Sequence, residues 1–528
     1  MSVGSGRTSR FARLSSLDRM FLHQESPDWP AHFGGLAVVE GKALLDGSGR
    51  LRVQEISERV NRRLANVPQL RRRLHIPGPL GGKALWVDDG QFDIRRHVYE
   101  ATVEPPGGDV QLLDAAARLY GKLLDRRRPL WELWFLTGLG EGRVGVLLKL
   151  HHSVADGMAA MTIMAGLFDF EPDAPDPAAK PWAPEPAPGW GSLVADNLSV
   201  KTDAVVRAAT RAAHPMRLGR EVSSRIGVAR EALGQVKAPR TSLNQAVQTG
   251  RRIRFLRLDL EAMKQTAHAH EAKVNDVVLD LWAGGLRELM LHRGEPLSGV
   301  DLITTMPVSL RSASEARTID NQLGFMTVPL PVSEPDAESR LGRIVRTTRR
   351  AKSEQQSAAV AGVLAFASTI PFARLLTAHQ HSVNAKITNM IGPPVPVYVL
   401  GARVLDILPI TRLFGNVGLT LAALSYAGHI SLVVTADASA FPDLDVLMAG
   451  MERDWHALAN IDADRSAAVQ GVPERRLDQA ADSGAPCLSM GNVNQKREPL
   501  PGSDSRPILP PWSSTSLRAM DRPRPVPP

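Results

Sequence analysis

The sequence predicts an α/β protein of two similar sections joined by a linker, and three observations carry that expectation. Strand-like apolar runs alternate with amphipathic helical patterns over 11–170, the same alternation returns over 241–465, and a stretch too rich in proline for either element separates them. At 528 residues the chain exceeds one ordinary core. Two or three domains of roughly 100–200 residues suit it.

In the first section GGLAVVE and RVGVLLKL read as strands, and VQEISERVNRRL and QLLDAAARLYGKLL as helices. The run EPDAPDPAAKPWAPEPAPGW that follows excludes a helix interior or a central strand, because proline lacks the backbone donor both need. With the polar, helix-prone segment after it, the run makes 171–240 a linker that is first extended and then helical. RRIRFLRLDL opens the second section as a strand, and AMKQTAHAHEAKVNDVVLDLWAGGLRELML continues it as one or two helices. ITTMPVSL and FMTVPLPV are extended, 337–354 is an amphipathic helix, and LTLAALSY with ISLVVTAD makes a hairpin around Gly428. Residues 1–10 and the Pro-, Ser- and Arg-rich 466–528 are expected to be disordered.

A hydrophobic fraction of 43% excludes a wholly disordered chain, and a single cysteine, Cys487, excludes disulfide scaffolds and cysteine-based metal sites. The net charge of +8 favours an anionic partner. The basic clusters Arg62-Arg63, Arg71-Arg72-Arg73 and Arg126-Arg127-Arg128 lie apart without interleaved aromatics, so they read as solvated helix faces or turns and no nucleic-acid partner is expected. The N-terminus has no apolar core of the signal-peptide kind, which predicts a cytoplasmic protein. The most apolar stretch, 357–376, is Ala-rich and contains Pro371, so no membrane span is expected.

LLKLHHSVADGMAAM carries the sharpest chemistry, because an apolar strand there ends in two histidines. Strand alternation places Val146, Leu148, Leu150 and His152 on one face, and Leu147, Lys149 and His151 on the other. His152 thus faces the apolar side, while His151, beside Lys149, is structural or exposed. Adjacent positions do not present two ligands to one metal, so no metal is expected. A lone histidine on an apolar face is ordinarily a packed core residue. Here, however, Asp156 follows four residues later to fix the turn, and Gly157 leaves room for close approach. No serine-nucleophile elbow, phosphate loop or dinucleotide fingerprint is present.

HHSVADG, 151–157, resembles the HHxxxDG motif of the CoA-dependent acyltransferase superfamily. LSSLDRMFLHQES, PLWELWFLTGL, VNDVVLD, MPVSLR, NQLGFMTVPLPV, TNMIGPPVPVYVLGAR and LSYAGHISLVVTAD make the chain look like the bacterial wax ester synthase/diacylglycerol acyltransferase family, in order over 13–462. The resemblance implies two chloramphenicol-acetyltransferase-like halves with an active-site tunnel between them. It makes His152 the general base, His151 a supporting member of the motif, and Asp156 an orienting residue that pairs with an arginine, for which Arg311 is the candidate. It also marks Asn275 and Asp276, the family's Asn-Asp pair, and Pro129, Leu130 and Trp131, its PLW element, as substrate-site residues. For Asn275 and Asp276 a helix start capped by polar side chains, and for the PLW element the ordinary packing of an aromatic anchor, are the competing readings. In TNMIGPP, Asn389, Gly392 and Pro393 match the family, whereas Thr388, Met390 and Ile391 depart from it.

The expected function is diacylglycerol O-acyltransferase, making triacylglycerol from a long-chain acyl-CoA and 1,2-diacylglycerol by direct transfer. Acyl-CoA is then a co-substrate and no cofactor is needed. Wax ester synthesis from a fatty alcohol is the near alternative; a carrier-protein-dependent condensation reaction and a non-catalytic lipid-binding role are more distant ones. With a lipid acceptor alcohol as partner, the protein is expected to dock peripherally on a membrane or lipid-body surface.

Overall fold

Two sheets carry the fold of the computed structural model, which describes residues 9–154, 163–164, 166–178, 182–212, 237–309, 323–353 and 377–470. In the first section, α1 (Ser16–Gln24), β1 (His32–Glu40) and α2 (Val53–Arg63) precede the short pair β2 (Arg72–His75) and β3 (Leu85–Asp88). There follow β4 (Val98–Thr102), α3 (Asp109–Tyr120), β5 (Trp131–Thr137), β6 (Arg143–His151), β7 (Phe168–Asp169) and the linker helix α4 (Trp190–Ala212). The second section contains β8 (Arg251–Asp259), α5 (Leu260–Ala269), α6 (Val274–His292), β9 (Leu302–Ser309), β10 (Leu323–Leu330) and α7 (Ala337–Ser353). It closes with β11 (Ala385–Ile391), β12 (Tyr398–Val399), β13 (Ala402–Ile410), β14 (Leu419–Tyr426), β15 (His429–Asp437) and α8 (Leu444–Gln470).

The strands run β4-β5-β6-β1-β13-β12-β7 in one sheet and β10-β9-β11-β14-β15-β8 in the other. The expected α/β class is therefore present, with one feature that local patterning does not reveal. β13, from the second section, pairs antiparallel with β1 and completes the first section's sheet. The hairpin of β14 and β15 turns through Ala427 and Gly428 at φ of 43° and 92°, the positive pair that a tight two-residue turn requires.

Packing then locks the two sheets together. Leu36, Leu147, Tyr120 and Leu408 of the first sheet and α3 share one apolar cluster with Ile253 and Val433 of the second. Buried Asp406 of β13 accepts hydrogen bonds from His429 Nε2 at 2.8 Å and Ser431 Oγ at 3.2 Å, and pairs with Arg257. A strand of one sheet is thereby tied to two strands of the other. In the second section α6 is apolar nearly all round because α7 and α8 cover it. It carries a buried charge pair, Asp280 with Arg340 of α7 at 2.9 Å, and the arginine extends it to Asp454 at 2.5 Å. A Cβ on Gly284 would lie 1.7 Å from Asp454 Oδ2, so a larger residue there would displace that carboxylate from Arg340.

Two sequence expectations need correction. The basic clusters are not simply solvated: Arg59, Arg62 and Arg63 all bind Asp176 of the linker, and Arg63 also binds Asp169 at 2.7 Å. Arg71 lies under Trp182, its guanidinium carbon 5.1 Å from the ring centroid. Charge complementarity with the linker draws these arginines inward. In addition, α8 runs on to Gln470, past the expected boundary at 465, because its Ala-rich end keeps helix propensity. Compact units divide after Asp462. Cys487, the apolar stretch 357–376 and the tail from 471 lie outside the described residues.

Candidate active site

β6 delivers the histidine pair to the junction between the sheets, and its last residue, His151, stands opposite His32 of β1. The His151 side chain is fully buried. The backbone N–H of Ser153 donates to its Nδ1 at 3.0 Å, so Nδ1 is the bare nitrogen and the Ser153 hydroxyl, at 2.6 Å, is a second donor to it. The ring proton then sits on Nε2, 3.4 Å from Glu25 Oε1. Glu25 Oε1 also accepts the Ala31 N–H at 3.1 Å, and Oε2 faces Arg126 at 2.8 Å. Burial alone would raise the Glu25 carboxyl, but His151, the Ala31 N–H and Arg126 together bring it down to about 2. Ser153, His151 and Glu25 thus form a line of fixed polar contacts resembling a nucleophile triad. The serine is buried and spent on its own turn, so the line serves to position that turn.

His152, the next residue, lies in the turn itself and donates its backbone N–H to Ala31 O at 2.9 Å. Its imidazole stacks on Phe21 at 4.7 Å and 20°, and tilts against Phe33 at 4.7 Å and 55°. Burial first, then the charges of Arg412 and Lys386, then His151 and His32, hold its pKa well below the ordinary value. The ring is neutral at physiological pH. The strand ends at His151, so alternation along β6 does not reach His152; the bond to Ala31 turns it inward instead. Nor is His151's face solvated: Lys149 is buried and paired with Glu132 at 3.0 Å, because α3 and the second sheet cover that side. His32 completes the histidine group. Its Nε2 donates to Tyr120 O at 2.5 Å, and burial foremost lowers its pKa to about 3.

The second section contributes two cations. Lys386 sits on β11 opposite Thr420 and Thr305, and burial, with Arg412 beside it, lowers its pKa to about 8. Arg412 follows β13. Its guanidinium carbon lies 5.0 Å from the centroid of Phe21, and burial lowers its pKa to about 10. Phe21 therefore touches both the imidazole and the guanidinium.

Asn275 and Asn389, two separate sequence candidates, meet directly: Asn389 Nδ2 donates to Asn275 Oδ1 at 2.8 Å, and Asn275 Nδ2 reaches Met306 Sδ at 3.3 Å. Asp276 caps α6 by accepting the Lys273 N–H at 3.0 Å, and accepts the Thr348 hydroxyl at 2.8 Å. Trp131 is a core residue, its indole donating to Leu70 O at 2.7 Å and its ring stacked on His97. Leu130 accepts the His151 N–H at 3.1 Å, and Pro129 is buried beside it. Asp156, Gly157 and Arg311 lie outside the described residues. Sequence patterning alone does not point to Phe21, Glu25, Phe33, Lys386 or Arg412. Phe21 and Glu25 do fall within LSSLDRMFLHQES, four residues apart and thus one helical turn.

Comparison with known proteins agrees with this architecture. The model of the wax ester synthase/diacylglycerol acyltransferase catalytic domain matches residues 14–278, and that of the family's C-terminal domain matches 319–459. A probable diacylglycerol O-acyltransferase of Mycobacterium tuberculosis, tgs1, is 30% identical over 83% of this chain and 94% of its own length. A second from that organism, tgs2, is 29% identical over 82% and 96%. Among solved structures, the wax ester synthase/diacylglycerol acyltransferase of Marinobacter aquaeolei VT8 superposes with a TM-score of 0.64 at 20% identity, covering 86% of this chain and all of that one. The first condensation domain of the calcium-dependent antibiotic synthetase follows at 0.53 and 18%, covering 87% and 97%.

Proposed function

Because the chain belongs to the wax ester synthase/diacylglycerol acyltransferase family, we propose that this acyltransferase makes triacylglycerol, moving the acyl group of a long-chain acyl-CoA directly onto the hydroxyl of 1,2-diacylglycerol. The observation that carries the mechanism is His152: a neutral imidazole, held by packing and with no hydrogen bond to its ring nitrogens among the described residues. Such a ring is ready to accept a proton. His152 takes the proton of the acceptor hydroxyl as its oxygen attacks the thioester carbonyl carbon. The tetrahedral adduct collapses with loss of the C–S bond, and the CoA sulfur leaves with the proton His152 held. No acyl-enzyme forms, and no cofactor takes part.

The acceptor assignment rests on the activity named for the mycobacterial relatives. Purified protein incubated with labelled acyl-CoA and a panel of diacylglycerol, fatty alcohol and sterol tests it. Triacylglycerol as the main product is expected; wax ester as the main product moves the assignment to the alcohol, and hydrolysis alone rejects it. Since both substrates are lipids, the protein docks on a membrane or lipid-body surface from the cytoplasm. Among the described residues no helix is long and apolar enough to cross a membrane. Release by high salt or carbonate is the expected behaviour, and extraction by detergent alone contradicts it.

A further inference from the structure

A buried cation without a carboxylate is costly, and several buried cations of this protein are paired with one. Arg63 meets Asp169 and Asp176, Arg340 meets Asp280 and Asp454, and Lys149 meets Glu132. Arg71 and Arg251 lack a carboxylate but are met by carbonyl oxygens, Asn61 O and Gly250 O, each at 2.8 Å, whereas buried Arg412 and half-buried Lys386 are met by neither a carboxylate nor a carbonyl of the backbone among the described residues. Arg412 is 6% exposed, its Nη2 reaches only the amide oxygen of Gln24 at 3.4 Å, and its Nη1 is buried without a partner. The Lys386 ammonium has no ion pair or hydrogen bond among the described residues. Glu25, whose charge reaches Arg412, is already committed to Arg126, Ala31 and His151.

We propose that Arg412 and Lys386 form the anion site that receives the thioester carbonyl oxygen as it becomes negatively charged. The assignment rests on the acyl-transfer reading above. As the acceptor oxygen bonds to the carbonyl carbon, the C=O π pair moves onto the carbonyl oxygen. The two cations hold that charge until the pair returns and the C–S bond breaks. Nothing is oxidised or reduced.

Charge counting favours this use over a purely structural one. With an uncharged thioester group, an uncharged alcohol and a neutral His152, Arg412 and Lys386 are the cations facing the base, and the Glu25 carboxylate nearby is held by Arg126, Ala31 and His151. Proton transfer to His152 adds a third positive charge, which a simultaneous negative charge on the carbonyl oxygen compensates. The pair therefore opposes protonation of the empty site and favours the adduct, in which imidazolium and oxyanion arise together. That preference for transition state over ground state is what accelerates a reaction. Phe21, between guanidinium and imidazole in the contact chain, keeps the cation near the base without a hydrogen bond to it.

The test uses the full chain with Arg412→Gln, Arg412→Lys, Lys386→Met and Lys386→Arg, measuring kcat, KM for acyl-CoA and thermal unfolding. Loss of an oxyanion contact typically costs ~10²–10³ in kcat. Arg412→Gln is expected to fall in that range with KM changed by less than about threefold and an unchanged unfolding temperature, while Arg412→Lys keeps at least about tenfold more activity. Lys386→Met carries the same test should Arg412→Gln fail to fold. Unchanged kcat with a raised KM would show that the pair reads the phosphates of CoA, and equal losses in charged and neutral variants would show a packing role; either overturns the proposal. Wild-type protein that acylates no alcohol rejects the reaction itself, whereas active wild type with undiminished kcat in the variants rejects only the anion site.

Discussion

Phe21 lies against His152 with ring centroids 4.7 Å apart and planes 20° from parallel, so a residue of the first helix forms one wall of the base. Phe21→Ala removes that wall and admits water to the imidazole. Phe21 is half-buried, so the stability loss should stay below the ~3–5 kcal/mol of a fully buried phenylalanine. Rate should fall by more than the melting temperature implies, and paired turnover and thermal-unfolding measurements on one preparation check this.

His152→Ala is expected to lose the ~10²–10⁴-fold contribution of a general base while keeping its unfolding temperature. His151→Ala should do the reverse. It strands the buried Glu25 carboxylate and releases Ser153, so unfolding temperature drops and turnover suffers less. Equal rate losses, or a greater one for His151→Ala, would assign the base to the wrong histidine.

The acid limb of kcat/KM should lie well below pH 6.5, because His152 is neutral down to its lowered pKa. Arg412 and Lys386 face it with their charges, and His151 and His32 with their rings; Arg412→Gln removes the first charge, moving the limb up toward 6.5. Stability follows with its own sign. Below about pH 6.5 the unfolded chain binds protons that the folded His152 and His32 do not, so stability falls as pH falls. A pH–rate profile and unfolding midpoints between pH 4 and 8 test both statements.

Asp276→Ala removes a helix cap and the partner of the buried Thr348 hydroxyl. A loss of roughly 1–3 kcal/mol is expected in urea unfolding. Turnover per folded molecule should hold. Asn275→Ala, which breaks the contact to Asn389, is the contrasting variant, with the rate affected more than stability.

By itself the sequence determined the elements and the motif that ends a strand in two histidines. Periodicity is local, and each helix or strand shows its buried face within its own few residues, as in β1, β6, α3 and the hairpin of β14 and β15. Only the tertiary structure decided what surrounds His152. The pairing of β13 with β1, the burial of Lys149, the arrival of Arg412 beside Phe21 and the facing of His152 by Lys386 depend on contacts between distant segments. Nothing in the local pattern around a lysine or arginine records such contacts, because a cation's cost or use is set by the charges and solvent that folding places around it.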